Sequence, residues 1–121
     1  MVLKFFKGFS FAFAGLMAAV RSEINMKFHL LASALVIFAG CFFKIKAQEW
    51  IVLIFCISMV ISMELINTSI EKLCDSLHPE QSPKIKYVKD VAAAAVLIVA
   101  LGAAIIGAIV FIPYCVSLFN S

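Results

Sequence analysis

Long apolar runs alternate with short polar breaks along this chain, and the breaks predict its elements. Residues 1–22, "MVLKFFKGFSFAFAGLMAAVRS", interleave aromatic and small apolar residues with Lys4, Lys7 and Arg21. The pattern predicts an amphipathic helix lying in the membrane interface, with Phe side chains toward lipid and lysines at the headgroups. Two alternatives stand beside it. One is a signal peptide, although the apolar run before the Ala12-x-Ala14 pair is short and apolar residues continue to Val20. The other is a fourth crossing. After the polar break "RSEINMK", a first crossing covers 28–45, with Lys27 and Lys44 able to snorkel from its ends. "KIKAQEW" is a tight turn that sets Trp50 at an interface position. A second crossing covers 50–71, and a polar loop with two prolines covers 76–84. A third crossing covers 90–113, where Pro113 ends or kinks the helix. The predicted fold class is an all-α membrane protein, with an N-terminal interfacial helix and three transmembrane helices in one membrane domain over 1–121.

Composition strengthens this picture. Of 121 residues, 64% are hydrophobic and 14% charged, with a mean hydropathy of +1.11. One small soluble core cannot bury that much apolar surface. The net charge of +3 is dispersed and makes no basic, aromatic-interleaved face, which argues against nucleic acid as a partner. Cys41, Cys56, Cys74 and Cys115 are far apart and read as free thiols. His29 and His78 are isolated, and neither an H-E-x-x-H motif nor a phosphate-binding glycine loop is present. Ala100, Ala104 and Ala108 recur at small-xxx-small spacing in the third crossing, which suits close helix approach or is simply the ordinary alanine content of such helices. With three crossings, the N-terminus and the 71–90 region share one side. That side holds Lys4, Lys7, Arg21, Lys27, Lys72, Lys84, Lys86 and Lys89, against Lys44 and Lys46 on the other. The basic side is therefore expected in the cytoplasm.

The candidate chemistry lies on the second crossing. At about 100° per residue, Glu64, Asn67, Glu71 and Asp75 fall on one stripe, with Glu64 about 10 Å above Glu71 along the axis. A carboxylate within an apolar helix must face the bundle interior, a cavity or a partner, and it suits a proton-exchanging role. Its bland alternative is an inter-helix hydrogen bond from a protonated Glu64. Asn67 has the parallel alternative of polar glue between helices. Glu23, just before the first crossing, belongs to the same layer as Glu71. Together they offer the one or two carboxylates that Mg²⁺ takes while phosphate and water fill its other positions. Lys89 suits a phosphate as a point charge, and Asp90 suits a ribose, an amine or support of the metal. Each also has an ordinary reading, as an interfacial anchor and as an acid near a helix start. All three crossings thus bring ionisable groups to one edge. From residues alone this is a small membrane protein with an interfacial site fit for metal and phosphate, and an ion or proton pathway with Glu64 as relay would use similar groups.

"ELINTSIEKLCD" at 64–75, "KYVKDVAAAAVLI" at 86–98 and "GLMAAVRSE" at 15–23 together resemble the small prokaryotic diacylglycerol kinase family, which includes undecaprenol kinases. The likeness spans most of the chain. It implies a homotrimer in the bacterial inner (cytoplasmic) membrane that takes ATP with Mg²⁺ from the cytoplasm and phosphorylates a lipid alcohol. Carried onto matching positions, Glu64 would be the general base with Asn67 in support, and Glu23 and Glu71 would hold the metal and the nucleotide. Lys89 and Asp90 would contact the nucleotide, as would Lys4 and the loop residues Glu80, Gln81 and Ser82. Glu64, Ala93 and Trp50 would meet the lipid. Phe11 stands where some members carry a polar aromatic residue or His, and Ala93 where some carry Ser. "EINMKFH" and "IVFIP" look more like the Gram-positive-type branch, which implies undecaprenol rather than diacylglycerol as the acceptor.

Overall fold

The computed structural model describes residues 1–121 and is helical throughout, as the apolar pattern predicts: α1 Val2–Ser22, α2 Ile24–Phe43, α3 Ala47–Leu77 and α4 Pro83–Asn120. All four are long and apolar enough to cross a membrane. At 1.5 Å per residue, the 31 residues of α3 reach about 46 Å and the 38 of α4 about 57 Å. Both exceed the roughly 30 Å hydrocarbon core, so polar turns at their ends stand outside it. The second crossing segment continues helically through Glu71 and Asp75 to Leu77, and the polar connection narrows to His78–Ser82. Pro113 does not end α4, which runs on to Asn120. A proline lacks only its own N–H, and flanking turns keep such a helix continuous.

α3 packs along α4 most extensively and along α2 less. On α3 the interior positions Leu53, Val60, Asn67 and Cys74 recur every seven residues, with Glu64 falling between. This is the seam of a left-handed helix pair. Its upper half is apolar. Ile45, Leu53 and Val110 form the core there, flanked by Trp50, Phe43 and Phe111. Its lower half is polar. α1 touches the bundle only near its end, where Ala19 is buried, and its residues 2–15 are all exposed.

The α2–α3 turn is unusually constrained. Lys44 adopts the left-handed conformation (φ 52°, ψ 55°). The Ile45 N–H donates to Gly40 O (3.2 Å) and the Lys44 N–H to Cys41 O (3.3 Å), a Schellman-type stop that tucks Ile45 into the core. Gly40 is required by its neighbour, since a Cβ there would stand 2.5 Å from Trp50 Cη2. Glu49 closes the turn from the other side. Its carboxylate accepts the Lys46 N–H (2.9 Å) and the Tyr114 hydroxyl, tying the start of α3 to the far end of α4. The Tyr114 hydrogen bond, followed by the Lys46 N–H, holds the Glu49 carboxyl below the usual carboxylate range. A lowered folded value means that this tie contributes above the ordinary carboxylate pKa and is lost as pH falls through the folded value.

Gly40→Ala is expected to destabilise the protein by about 1–3 kcal/mol through overpacking, measured by reversible unfolding followed by far-UV circular dichroism. Adding Trp50→Leu should recover most of that loss. Lys44→Gly should stabilise by roughly 0.5–1 kcal/mol, because glycine adopts the left-handed turn without a Cβ penalty.

Candidate active site

The polar half of the α3 seam is built by local helix geometry. Positions 64, 67, 68 and 71 share the face turned to α2 and α4, so packing that buries Val60 and Cys74 also buries Glu64 (2% exposed), Asn67 (4%) and Thr68 (8%). Glu71, one turn beyond Asn67, is half-buried, and its Oε1 accepts from Asn67 Nδ2 (3.2 Å). Asn67 therefore holds the Glu71 carboxylate, which is more specific than general polar glue. Its own Oδ1 and the Thr68 hydroxyl are buried without a protein partner.

Glu23 reaches the same layer by a different route. It is the single extended residue (φ −112°, ψ 119°) that separates α1 from α2. Its carboxylate lies 3.8 Å from Nζ of Lys72, the residue after Glu71. Glu71 and Glu23 are also the two charges that act on Glu64. Of the carboxyl residues named from the sequence, Glu23 and Glu71 are thus brought near enough to act on Glu64. No group of three or more His, Cys, Asp or Glu is placed to hold a metal ion by itself. That donor set fits Mg²⁺, which takes one or two carboxylates and completes its shell with water and phosphate, and does not fit a structural zinc site.

On α4, Lys89 forms a charged hydrogen bond with Asp75 that spans the α3–α4 connection. This bond keeps the Lys89 ammonium above its ordinary lysine value. Asp90 lies on the exposed side, where Lys86 Nζ donates to its Oδ2 (2.6 Å). Ser82 is the α4 N-cap, its Oγ accepting from the Ile85 N–H (3.3 Å) with Pro83 in the first turn. Glu80 and Gln81 are exposed in the connection. Ala93 is exposed one turn above Asp90. Two residues are not brought to this layer. Lys4 is exposed near the free end of α1, about 28 Å along the helix from Glu23. Trp50 packs on Gly40 at the opposite end of α3, about 21 Å from Glu64 along the axis.

One neighbour was invisible to pattern reading. His29, isolated in the sequence, places Nε2 3.7 Å from Glu64 Oε2. Only the packing of α2 on α3 joins positions thirty-five residues apart. His29 also stands at one end of a groove of about 440 Å³ between α2, α3 and α4, which is walled by Val36, Leu53, Val60, Ala104 and Phe111 among others. An apolar groove that has His29 in its wall, itself beside the buried Glu64, suits a molecule with one polar end and a long hydrocarbon tail.

The comparisons agree with that geometry. The family model for prokaryotic diacylglycerol kinase matches residues 10–111. The chain is 36% identical over 110 residues to an undecaprenol kinase of Bacillus subtilis, covering 91% of this chain and 89% of that one. It is 32% identical over 111 residues to a diacylglycerol kinase of Synechocystis sp., covering 91% of this chain and 63% of that one. An all-helical, membrane-spanning chain with these relatives is a lipid kinase. It belongs to the prokaryotic diacylglycerol kinase family, which decides for an enzyme over an ion or proton conductor.

Thr68→Val, which replaces an unpartnered buried hydroxyl by an isosteric methyl, should raise stability by about 1 kcal/mol. Asn67→Leu should lower it, because the half-buried Glu71 carboxylate loses its donor. Denaturation in mixed micelles compares the two.

Proposed function

We propose that the chain transfers the γ-phosphoryl group of ATP to the hydroxyl of undecaprenol at the cytoplasmic face of a bacterial membrane, yielding undecaprenyl phosphate. The observation that carries this reading is the burial order along α3: Glu64 is buried where the polar half of the seam adjoins the apolar half, and Glu71 is half-buried about 10 Å further along. One level suits a lipid hydroxyl, the other a nucleotide phosphate. The choice of undecaprenol over diacylglycerol is supported by the full-length likeness to an undecaprenol kinase.

In this reaction Glu64 accepts the proton of the attacking hydroxyl, and burial keeps bulk water from competing for it. Glu23 and Glu71 are the residues that would hold Mg²⁺, with Asn67 orienting Glu71. Held there with ATP, it would supply positive charge to offset that of the phosphates. Lys89 exchanges its Asp75 partner for a phosphate, and Asp90 moves from Lys86 to the nucleotide. The connection at Glu80, Gln81 and Ser82 lies beside them in sequence and closes over the nucleotide. α1 lies in the interface, bringing Lys4 to the phosphates of the same or a neighbouring subunit, and Ala93 and Trp50 border the lipid. Only 12 of 121 residues are buried in a single chain. Exposure of that extent leaves apolar faces for lipid and for other copies of the chain, in keeping with the homotrimer that the family resemblance implies, its subunit contacts completing the site.

Purified protein with Mg²⁺ and radiolabelled ATP should label undecaprenol in mixed micelles more readily than diacylglycerol. No label in either lipid would falsify the kinase reading, and preference for diacylglycerol would overturn the substrate. Glu64→Gln should lower kcat by about 10²–10⁴-fold while ATP–Mg²⁺ binding survives, whereas Glu71→Gln should raise the Mg²⁺ concentration needed for half-maximal rate. For orientation, in a cysteine-free background, Ala47→Cys should react with an impermeant thiol reagent only from outside the cell, and Gln81→Cys only from inside. The opposite pattern inverts the topology.

A further inference from the structure

A base that works repeatedly must lose the proton it gains, and Glu64 is poorly placed to lose it to water. Its side chain is 3% exposed. The chain's four ion pairs leave it one basic neighbour, His29, whose ring keeps 17% exposure and whose Nε2 stands 3.7 Å from Oε2. Such contacts commonly tighten when substrate is in place. The ring is steadied on α2 by an edge-on contact with Phe28 (6.2 Å between centroids). The other titratable groups around this pair are Glu71 and Cys56 on α3 and Glu23 before α2, while the α4 residues lining the groove carry none.

We propose that His29 receives the proton that Glu64 takes from the lipid hydroxyl and so resets the base for the next turnover. The proposal rests on Glu64 being the base of the lipid kinase reaction. As the lipid oxygen attacks the γ-phosphorus, its O–H bond breaks and the proton passes to Glu64 Oε2. The bond from the γ-phosphorus to the bridging oxygen breaks, and its electron pair leaves with ADP. The proton then moves from Oε2 to His29 Nε2, restoring the carboxylate beside an imidazolium, which releases a proton to water at the exposed edge of the ring. His29 does not touch the reacting atoms. It acts through Glu64, by holding the carboxylate and by emptying it.

The test uses the full chain in mixed micelles with undecaprenol and ATP–Mg²⁺. His29→Gln keeps a hydrogen-bonding side chain of similar reach but cannot carry the proton. It should lower kcat roughly tenfold or more, with KM for ATP and ATP–Mg²⁺ binding within about twofold of the parent. His29→Ala should be slow and should recover rate on addition of imidazole. Across a series of substituted imidazoles the recovery should rise with basicity, which a packing role would not produce. His29→Gln with the parent kcat, or His29→Ala insensitive to every imidazole, overturns the relay while leaving the kinase reading intact. A parent protein that labels no lipid overturns the kinase reading itself, and the relay with it.

Discussion

Burial of the Glu64 carboxyl is the constraint on which the rest of this molecule depends. Moving a charged carboxylate from water into a low-dielectric interior costs several kcal/mol before compensation. The chain tolerates this because α3 is held by more than its polar half. The apolar seam from Leu53 to Val60, the Ile45 and Val110 core beyond it, and the Glu49–Tyr114 tie at its start all stabilise the helix pair. The strain of a buried acid is thus confined to one end of a long, otherwise well-packed interface. The same economy explains why Asn67 and Thr68 keep unpartnered oxygens there.

Much of this architecture was legible in the sequence because lipid simplifies the code. Every backbone group must be satisfied within the helix, so apolar length and polar breaks give the elements directly. The stripe of Glu64, Asn67 and Glu71 follows from helix period alone, and burial then depends on which face meets a neighbour. Legibility ended where contacts join distant segments. His29 was read as an isolated histidine because nothing within one helix turn of it is acidic. Lys89 was read as a point charge fit for a phosphate, and the pairing of its ammonium with Asp75 across the α3–α4 connection was not foreseen. Trp50 was read as an interfacial residue, and packing adds that its half-buried ring is also the reason position 40 has no side chain. None of these follows from periodicity. Each is a consequence of register between helices.

The polar ends of α3 and α4 extend this logic beyond the hydrocarbon. Their excess length puts Glu71, Asp75 and Lys89 toward the polar ends of α3 and α4, while Glu64 lies closer to the apolar core. A shorter helix would force both chemistries to one level. The extended residue Glu23 achieves the same from the α1–α2 joint: one non-helical residue places a carboxylate at the boundary and redirects the chain.

The cramped α2–α3 turn also acts as the pivot of a lever. His29 lies fifteen residues from Lys44, about 22 Å along α2, and Glu64 a comparable distance along α3. A tilt of about 5° at the pivot would move one helix past the other by about 2 Å at that radius, more than half the 3.7 Å that separates imidazole from carboxylate. The spacing at the reactive end is therefore fixed by the fit of an indole against a bare backbone near the opposite face of the membrane. Mechanical tolerance at Gly40 and Lys44 translates into chemical tolerance far from either residue.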